Sequence, residues 1–137
     1  MLRSLYAALA TLLGTMYPLA SYAADPCATV DQHLTHDLKI QYASLIAESL
    51  EGKVRPSKVD IDSIMRSGTW TVVYASTPVA DPGYFFFDSS SGKNVFKDVW
   101  GGIAEKGEGP KIASWARSLG ANKAISACFA DTVAVAE

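Results

Sequence analysis

Two histidines and two aspartates lie close together between positions 31 and 37, in the stretch DQHLTHD. On a helix His33 would neighbour both His36 and Asp37, and imidazole and carboxylate groups are ligands that transition metals accept. Leu34 and Leu38 place the apolar stripe of the same helix beside them, so a solvated polar face is the alternative explanation. We keep His33, His36 and Asp37 as metal candidates only, and we predict no cofactor.

Carboxylates offer a second possible chemistry. Asp60 and Asp62 share one face of a predicted strand, and Asp98 lies between Phe96 and Trp100. A carboxylate beside aromatic rings can stay protonated and act as the acid in glycoside hydrolysis. The chain contains no GxSxG nucleophile motif. We therefore predict that the protein is not an enzyme, and we keep a carboxylate-based hydrolase as an alternative.

The chain has two cysteines, Cys27 and Cys128. They lie near opposite ends of the segment that follows residue 23. In an oxidising compartment a lone pair of cysteines most often forms a disulfide. A bridge that closes a loop of this length contributes about 4–5 kcal/mol to stability in the chain-entropy treatment. We predict a Cys27–Cys128 disulfide that joins the two ends of the domain.

Residues 1–23 have the pattern of a secretory signal peptide. Arg3 precedes an apolar run over residues 5–13, and the tripeptide SYA ends the segment. The run is shorter than the roughly 20 residues that a membrane-spanning helix needs. We predict that residues 1–23 are removed, that residues 24–137 form a single α+β domain, and that the product is periplasmic or secreted without a membrane anchor.

The distribution of charge excludes two classes of partner. Arg3 is the only charged residue among the first 23, so its removal leaves 11 basic and 14 acidic side chains. The basic residues are scattered singly from Lys39 to Lys123, without the stripe or patch that binds nucleic acid or an anionic membrane. We expect neither as a partner.

Apolar residues at a helical period predict a long N-terminal helix over residues 29–52. Thr29 and Gln32 resemble a capping box at its start, and Gly52 can take the left-handed conformation that ends a helix. The length corresponds to about six turns. The apolar stripe consists of Val30, Leu34, Leu38, Tyr42, Leu45, Ile46 and Leu50.

Four strands are predicted next, as an antiparallel meander over residues 59–65, 70–74, 84–88 and 94–100. Residues 77–83, TPVADPG, are expected to form an exposed loop. Two short helices follow: Pro110 opens the first and Gly120 ends it, and the second starts at Asn122. The apolar stripe of the second consists of Ile125, Cys128, Phe129 and Val133. The fold class is α+β, with the long helix packed on the sheet.

The stretch GYFFFD, residues 83–88, raises the question of what covers this sheet. Tyr84 and Phe86 should point to one face, while Phe85 and Phe87 point to the other. Both faces therefore need cover, and the N-terminal helix can supply only one. The other face needs the C-terminal helices, a second copy of the chain in a homodimer, or another protein.

An aromatic and loop-rich region of the predicted sheet is the candidate binding surface. It consists of Tyr74, Pro78, Asp81, Tyr84, Phe96 and Trp100. Tyrosine, tryptophan and phenylalanine are enriched where protein partners dock. With export, small size, one bridge and no catalytic motif, the profile resembles that of small periplasmic inhibitors and immunity proteins, which implies a module that binds an envelope or toxic enzyme.

A small-ligand carrier is the main alternative to a protein-binding module. Such a protein would use the space between helix and sheet. Trp70, Tyr74 and Phe86 would then line an apolar pocket.

Overall fold

The computed structural model describes residues 17–19 and 24–135, apart from the side chain of Val135. The predicted signal peptide, residues 1–23, lies outside this part of the chain except for residues 17–19. The elements in chain order are α1 (His36–Ser49), β1 (Asp60–Ser67), β2 (Trp70–Thr77), β3 (Ala80–Asp88), β4 (Val95–Gly101), α2 (Gly109–Ser118) and α3 (Lys123–Val135). A short 3₁₀ turn, Pro56–Lys58, precedes β1.

The four strands form one antiparallel sheet in the order β1-β2-β3-β4, which confirms the predicted meander. The loop predicted for residues 77–83 is wrong over most of its length. Thr77 pairs with Ala80, so the connection is a tight turn at Pro78 and Val79, and residues 80–83 belong to β3. Pro82 is tolerated there because β4 pairs with β3 only from Gly83 onward, which leaves Pro82 at an unpaired margin of the sheet.

The first helix is shorter than predicted and does not begin at the N-terminal end of the domain. It starts after Thr35, whose side chain accepts a hydrogen bond from the backbone N–H of Leu38 at 3.2 Å, and it has 14 residues. The start at Thr29 was wrong because the chain first crosses an edge of the sheet. Cys27 is tied to α3 on one face and Val30 packs in the cluster of that face, whereas α1 lies on the other. One straight helix over residues 29–52 could not pack against both faces of the sheet.

The predicted burial of the aromatic strand on both faces is confirmed, and the chain itself supplies the cover. Phe85 and Phe87 pack in one apolar cluster with α1, and the ring of Tyr42 lies 5.2 Å from that of Phe87. Phe86 packs in the other cluster, where the rings of Phe129 and Trp115 lie 4.9 and 5.2 Å away. All three phenylalanines are at most 3% exposed. Two helical layers therefore enclose the middle of the sheet.

The C-terminal helices and the disulfide match the expectation from sequence. Asn122 caps α3, because its Oδ1 accepts a hydrogen bond from the backbone N–H of Ile125 at 2.9 Å. The predicted stripe of Ile125, Cys128, Phe129 and Val133 is buried. Cys27 and Cys128 are bridged, with a sequence separation of 101 residues.

The membrane question can be addressed for the described residues. Over residues 17–19 and 24–135, no helix is both long and apolar enough to cross a bilayer.

Candidate functional site

Three aromatic residues form a row across the sheet on the side of α2 and α3. Tyr74 on β2 pairs with Tyr84 on β3, which in turn pairs with Trp100 on β4. The ring centroids of the two tyrosines are 4.5 Å apart, and those of Tyr84 and Trp100 are 6.3 Å apart. Cross-strand aromatic neighbours of this kind stabilise one another and hold their rings in fixed positions. The row is therefore a rigid feature.

Helix α3 supplies the floor beneath this row. The ring of Phe129 lies 5.2 Å from that of Tyr84 and 5.7 Å from that of Trp100, and Val133 lies one turn further along. Partial burial raises the pKa of Tyr84 above its ordinary value of 10.0, and the neighbouring Tyr74 adds to the increase. Tyr84 consequently stays a neutral phenol that can donate or accept a hydrogen bond.

A small cleft opens above the aromatic row, with a volume of about 180 Å³. Its rim comes from Pro82 and from the turn that follows β4. Gly102 has a positive φ of 115°, which redirects the chain so that Ile103 lies beside the cleft while Ala104 is buried. Ile103 is 93% exposed, which makes it the most exposed large apolar residue between positions 24 and 134. We call this feature, lined by Tyr74, Pro82, Tyr84, residues 100–104 and Val133, the aromatic cleft.

The structure divides the binding surface that was predicted from sequence. Tyr74, Tyr84 and Trp100 come together in the aromatic cleft. Pro78 and Asp81 are exposed near the turn between β2 and β3 and do not line the cleft.

Phe96 lies on the opposite face of the sheet from the aromatic cleft. Its ring is 6.2 Å from that of Phe85 and 5.8 Å from that of Phe87, both of which pack toward α1. The register between β3 and β4 shifts between Phe86 and Phe87, and this shift places Phe96 on the same face of the sheet as Phe87. The six predicted residues therefore do not form one patch.

The six predicted binding residues did not include Pro82, residues 101–104 or Val133, which also line the aromatic cleft. The signal for Ile103 was the preceding pair Gly101 and Gly102, which marks a sharp change of direction. Pro82 gave no such signal, because it was assigned to a loop and its place beside Trp100 depends on strand pairing.

The residues considered for metal binding or catalysis do not converge in the described part of the chain. His33 precedes α1, so the helical spacing to His36 and Asp37 does not apply. Within residues 17–19 and 24–135 no three histidine, cysteine, aspartate or glutamate side chains are grouped to hold a metal ion. Asp60 and Asp62 lie on β1.

The third candidate carboxylate, Asp98, lies on β4 at the other edge of the sheet from β1. Three strand spacings separate these edges, a distance of about 14 Å. Paired carboxylates in glycosidases are closer, roughly 5–9.5 Å apart. Asp98 is therefore too far from Asp60 and Asp62 to form such a pair with either of them.

The pocket expected for a small-ligand carrier is filled by protein. Trp70 is 6% exposed and Phe86 is fully buried, and both pack in the cluster beneath α2 and α3. Only Tyr74, of the three residues expected to line that pocket, borders a cleft.

A wider, polar depression of about 450 Å³ lies at the other end of the strands. Some of its polar groups pair with one another. Arg66 forms an ion pair with Asp31, and the hydroxyl of the buried Tyr42 donates to Thr71 Oγ1 at 3.0 Å. The buried Nε of Arg66 has no hydrogen-bond partner in this depression. We take the aromatic cleft as the candidate site because rigid aromatic side chains of its kind dominate binding at protein interfaces.

Comparison with protein-family models, with curated proteins and with solved structures gives no match to this chain. The functional assignment consequently depends on the geometry of the aromatic cleft.

Proposed function

We propose that this chain is an exported protein-binding module, which takes one side chain of its partner into the aromatic cleft. The observation that carries the proposal is the contrast between the buried core aromatics and the half-buried row of Tyr74, Tyr84 and Trp100 beside Ile103, which is 93% exposed. Rigid aromatic groups next to a projecting apolar residue are typical of the few positions that dominate binding energy at an interface.

The size of the aromatic cleft favours a protein partner over a free ligand. Pockets that hold drug-sized ligands have volumes of about 300–1,000 Å³, whereas this cleft has about 180 Å³. A single large side chain fits such a space. The hydroxyl groups of Tyr74 and Tyr84 offer hydrogen bonds at its margin.

The disulfide supports the proposed location and the class of partner. A Cys27–Cys128 bridge is compatible with an oxidising compartment, as in the periplasm or the extracellular space. Enzymes of the cell envelope and secreted toxic enzymes are found in these compartments. We propose that the module inhibits or masks an enzyme of this kind, as the sequence profile suggested.

The proposal can be tested by photo-crosslinking from position 103. A photoreactive amino acid replaces Ile103 in the oxidised protein, and the matched control carries the same group in place of Ile40, an exposed apolar residue on α1. We expect one envelope protein to be crosslinked from position 103 and not from position 40. The captured protein is then purified and its affinity for the unmodified module is measured.

The energetic part of the test compares Ile103→Asp with Ile40→Asp. Both residues are exposed, so both variants should fold normally. Loss of an anchor residue costs about 2 kcal/mol, which is roughly a thirtyfold rise in Kd. We expect that rise for Ile103→Asp alone. Equal affinity of the two variants for the captured protein would contradict the proposal.

A further inference from the structure

Strand β4 forms one outer edge of the sheet and lies open to solvent. All of its residues except the half-buried Trp100 are exposed. Its apolar residues Val95, Phe96 and Val99 are 43%, 37% and 41% exposed. Among the described residues no strand pairs with its outer side. An open edge of this kind is a template for another strand.

A bulge in β4 changes which side chains share a face. Phe96 pairs with Phe87 and Val99 pairs with Phe85, so both face α1 although they are three residues apart. In a regular strand, residues three apart point to opposite faces. The register shifts here because Lys97 is an extra residue on the bulged strand.

The bulge makes the face pattern of β4 symmetrical about the peptide bond after Lys97. Phe96 and Val99, second from this bond on either side, both face α1. Val95 and Trp100, third from it on either side, pair with Asp88 and Tyr84 and so face α2 and α3. The order of faces is thus the same when the strand is followed in either direction.

Two copies of β4 can therefore pair antiparallel about a two-fold axis perpendicular to the sheet. In this register Phe96 lies opposite Val99 of the second copy on the face of α1. Val95 lies opposite Trp100 of the second copy on the other face. A shift of one residue in either direction sets Phe96 against a residue that points to the opposite face. Of these three registers, only the symmetrical one sets Phe96 opposite a residue that points to the same face.

The charges of β4 are complementary in the same register. Lys97 lies opposite Asp98 of the second copy, and symmetry makes this contact twice. Within the described part of the chain neither residue forms an ion pair. Opposite charges directly across a strand pair are favourable and like charges are unfavourable. A lysine and a bulge ordinarily deter pairing with other strands, but here both features complement a second copy.

We propose that two copies of this chain associate through β4 to form a continuous antiparallel sheet, with four strands from each copy. The partner on this edge is thus a second copy of the same chain. This inference does not depend on the proposed function, because it uses the outer edge of β4 and requires no other protein in the aromatic cleft.

The test is a charge exchange across the two-fold axis, followed by sedimentation velocity on the oxidised protein from micromolar to millimolar concentration. We expect the wild-type protein to dimerise. Lys97→Asp and Asp98→Lys should each weaken dimerisation about tenfold or more, because each replaces two attractive contacts with two repulsive ones. Both residues are exposed, so the fold should be unchanged.

Mixing the two variants supplies the decisive result. An equimolar mixture of Lys97→Asp and Asp98→Lys should form a heterodimer, because acidic side chains then face basic ones at both contacts. The double variant Lys97→Asp/Asp98→Lys should dimerise by itself for the same reason. Lys58→Asp makes the same charge change beside β1, and it should leave dimerisation unaltered.

Three results would overturn the inference. The first is a wild-type protein that stays monomeric throughout the concentration range. The second is dimerisation of either single variant with wild-type affinity. The third is a mixture of the two single variants that forms no heterodimer.

Discussion

The two outer strands of the sheet are covered to different extents by the rest of the chain. On β1, the backbone N–H of Arg66 donates to the carbonyl of Asp31 at 2.8 Å, and the N–H of Asp31 donates to the carbonyl of Arg66 at 2.9 Å. The side chain of Asn122 also donates to the carbonyl of Ser67, at 2.9 Å. No strand or bridge of the described residues covers the outer side of β4 in this way.

The difference follows from the position of the disulfide. Cys27 is fixed to α3, and the chain between Cys27 and α1 must pass from one face of the sheet to the other. It passes around β1 and leaves Asp31 paired with that edge. The same connection cannot reach β4, on the far side of the sheet. An edge left open in this way requires either protection or a partner.

Removal of the disulfide should have the largest effect on this contrast. In Cys27→Ala/Cys128→Ala, we expect the free energy of unfolding to fall by about 4.7 kcal/mol, the chain-entropy value for a loop of about 100 residues. The amide of Arg66 should also lose protection from hydrogen exchange, because Asp31 is no longer held near β1. Urea unfolding followed by circular dichroism measures the first effect.

Reduction of the wild-type protein is the control for the disulfide variant and should give the same loss of stability. Equal urea midpoints for the oxidised and reduced proteins, or full protection of Arg66 in the variant, would show that the bridge does not hold the β1 edge closed.

Replacement of phenylalanine by alanine should lower the free energy of unfolding by different amounts in the covered and uncovered parts of the sheet. Phe86→Ala removes a fully buried ring and should cost about 4 kcal/mol of unfolding free energy. Phe96→Ala removes a ring that is 37% exposed and should cost about 1 kcal/mol in dilute protein. Equal losses at low concentration would show that β4 is covered in the monomer.

Gly83 and Gly101, which pair with each other across β3 and β4, allow a test of how closely these strands pack. A Cβ atom on Gly83 would lie 2.9 Å from Val99 Cγ2 and 3.2 Å from the carbonyl oxygen of Trp100. Gly83→Ala should therefore cost about 2 kcal/mol. Gly101, its partner across the strands, would meet nothing nearer than 3.9 Å, so Gly101→Ala should change stability by less than about 0.5 kcal/mol.

Thermal unfolding measures both glycine variants. Adding Val99→Ala to Gly83→Ala should recover part of the loss, because it removes the nearer of the two clashes. No recovery would place the strain elsewhere.

Acid should weaken the β1 edge, with the smallest effect of the series. The hydrogen bond from the backbone N–H of His33 lowers the pKa of Asp31 below its ordinary value of 3.8, and Arg66 lowers it further. Because the folded-state pKa is lowered, the contribution of Asp31 to stability is present above pH 3.8 and is lost as the pH falls through the folded-state pKa. The difference in free energy of unfolding between wild type and Asp31→Asn should shrink as the pH falls from 3.8 through the folded-state pKa of Asp31.

An NMR titration of the Asp31 carboxyl group checks the direction of this shift. A midpoint at or above 3.8 would contradict the prediction. The amide of Val73 on β2, in the middle of the sheet, should show no matching change in hydrogen exchange over the same pH interval.

Local patterns in the sequence were sufficient for several features of the fold. Consecutive aromatics at positions 84–87 predicted two buried faces, because strand residues alternate between faces whatever the tertiary contacts. The stripe of α3 predicted which of its residues enter the core. Two cysteines allow only one pairing, and the disulfide has that pairing.

Features that depend on contacts between distant segments were predicted less well. The apolar period through Val30 and Leu34 looked like one helix, but these residues pack in clusters on opposite faces of the sheet. The candidate surface also divided, because the bulge at Lys97 moves Phe96 to the face opposite Trp100. A bulge has no clear signature in a single sequence.

The sequence by itself determined an α+β meander with apolar residues on both faces and a bridge between its ends. These features follow from periodicity and composition, which act over a few residues. Only the tertiary structure decided which side of the sheet each segment covers, which edge stays open and which aromatics meet in a cleft. Those outcomes depend on the path of the chain around the sheet and on strand register, where a shift of one residue moves every side chain to the other face.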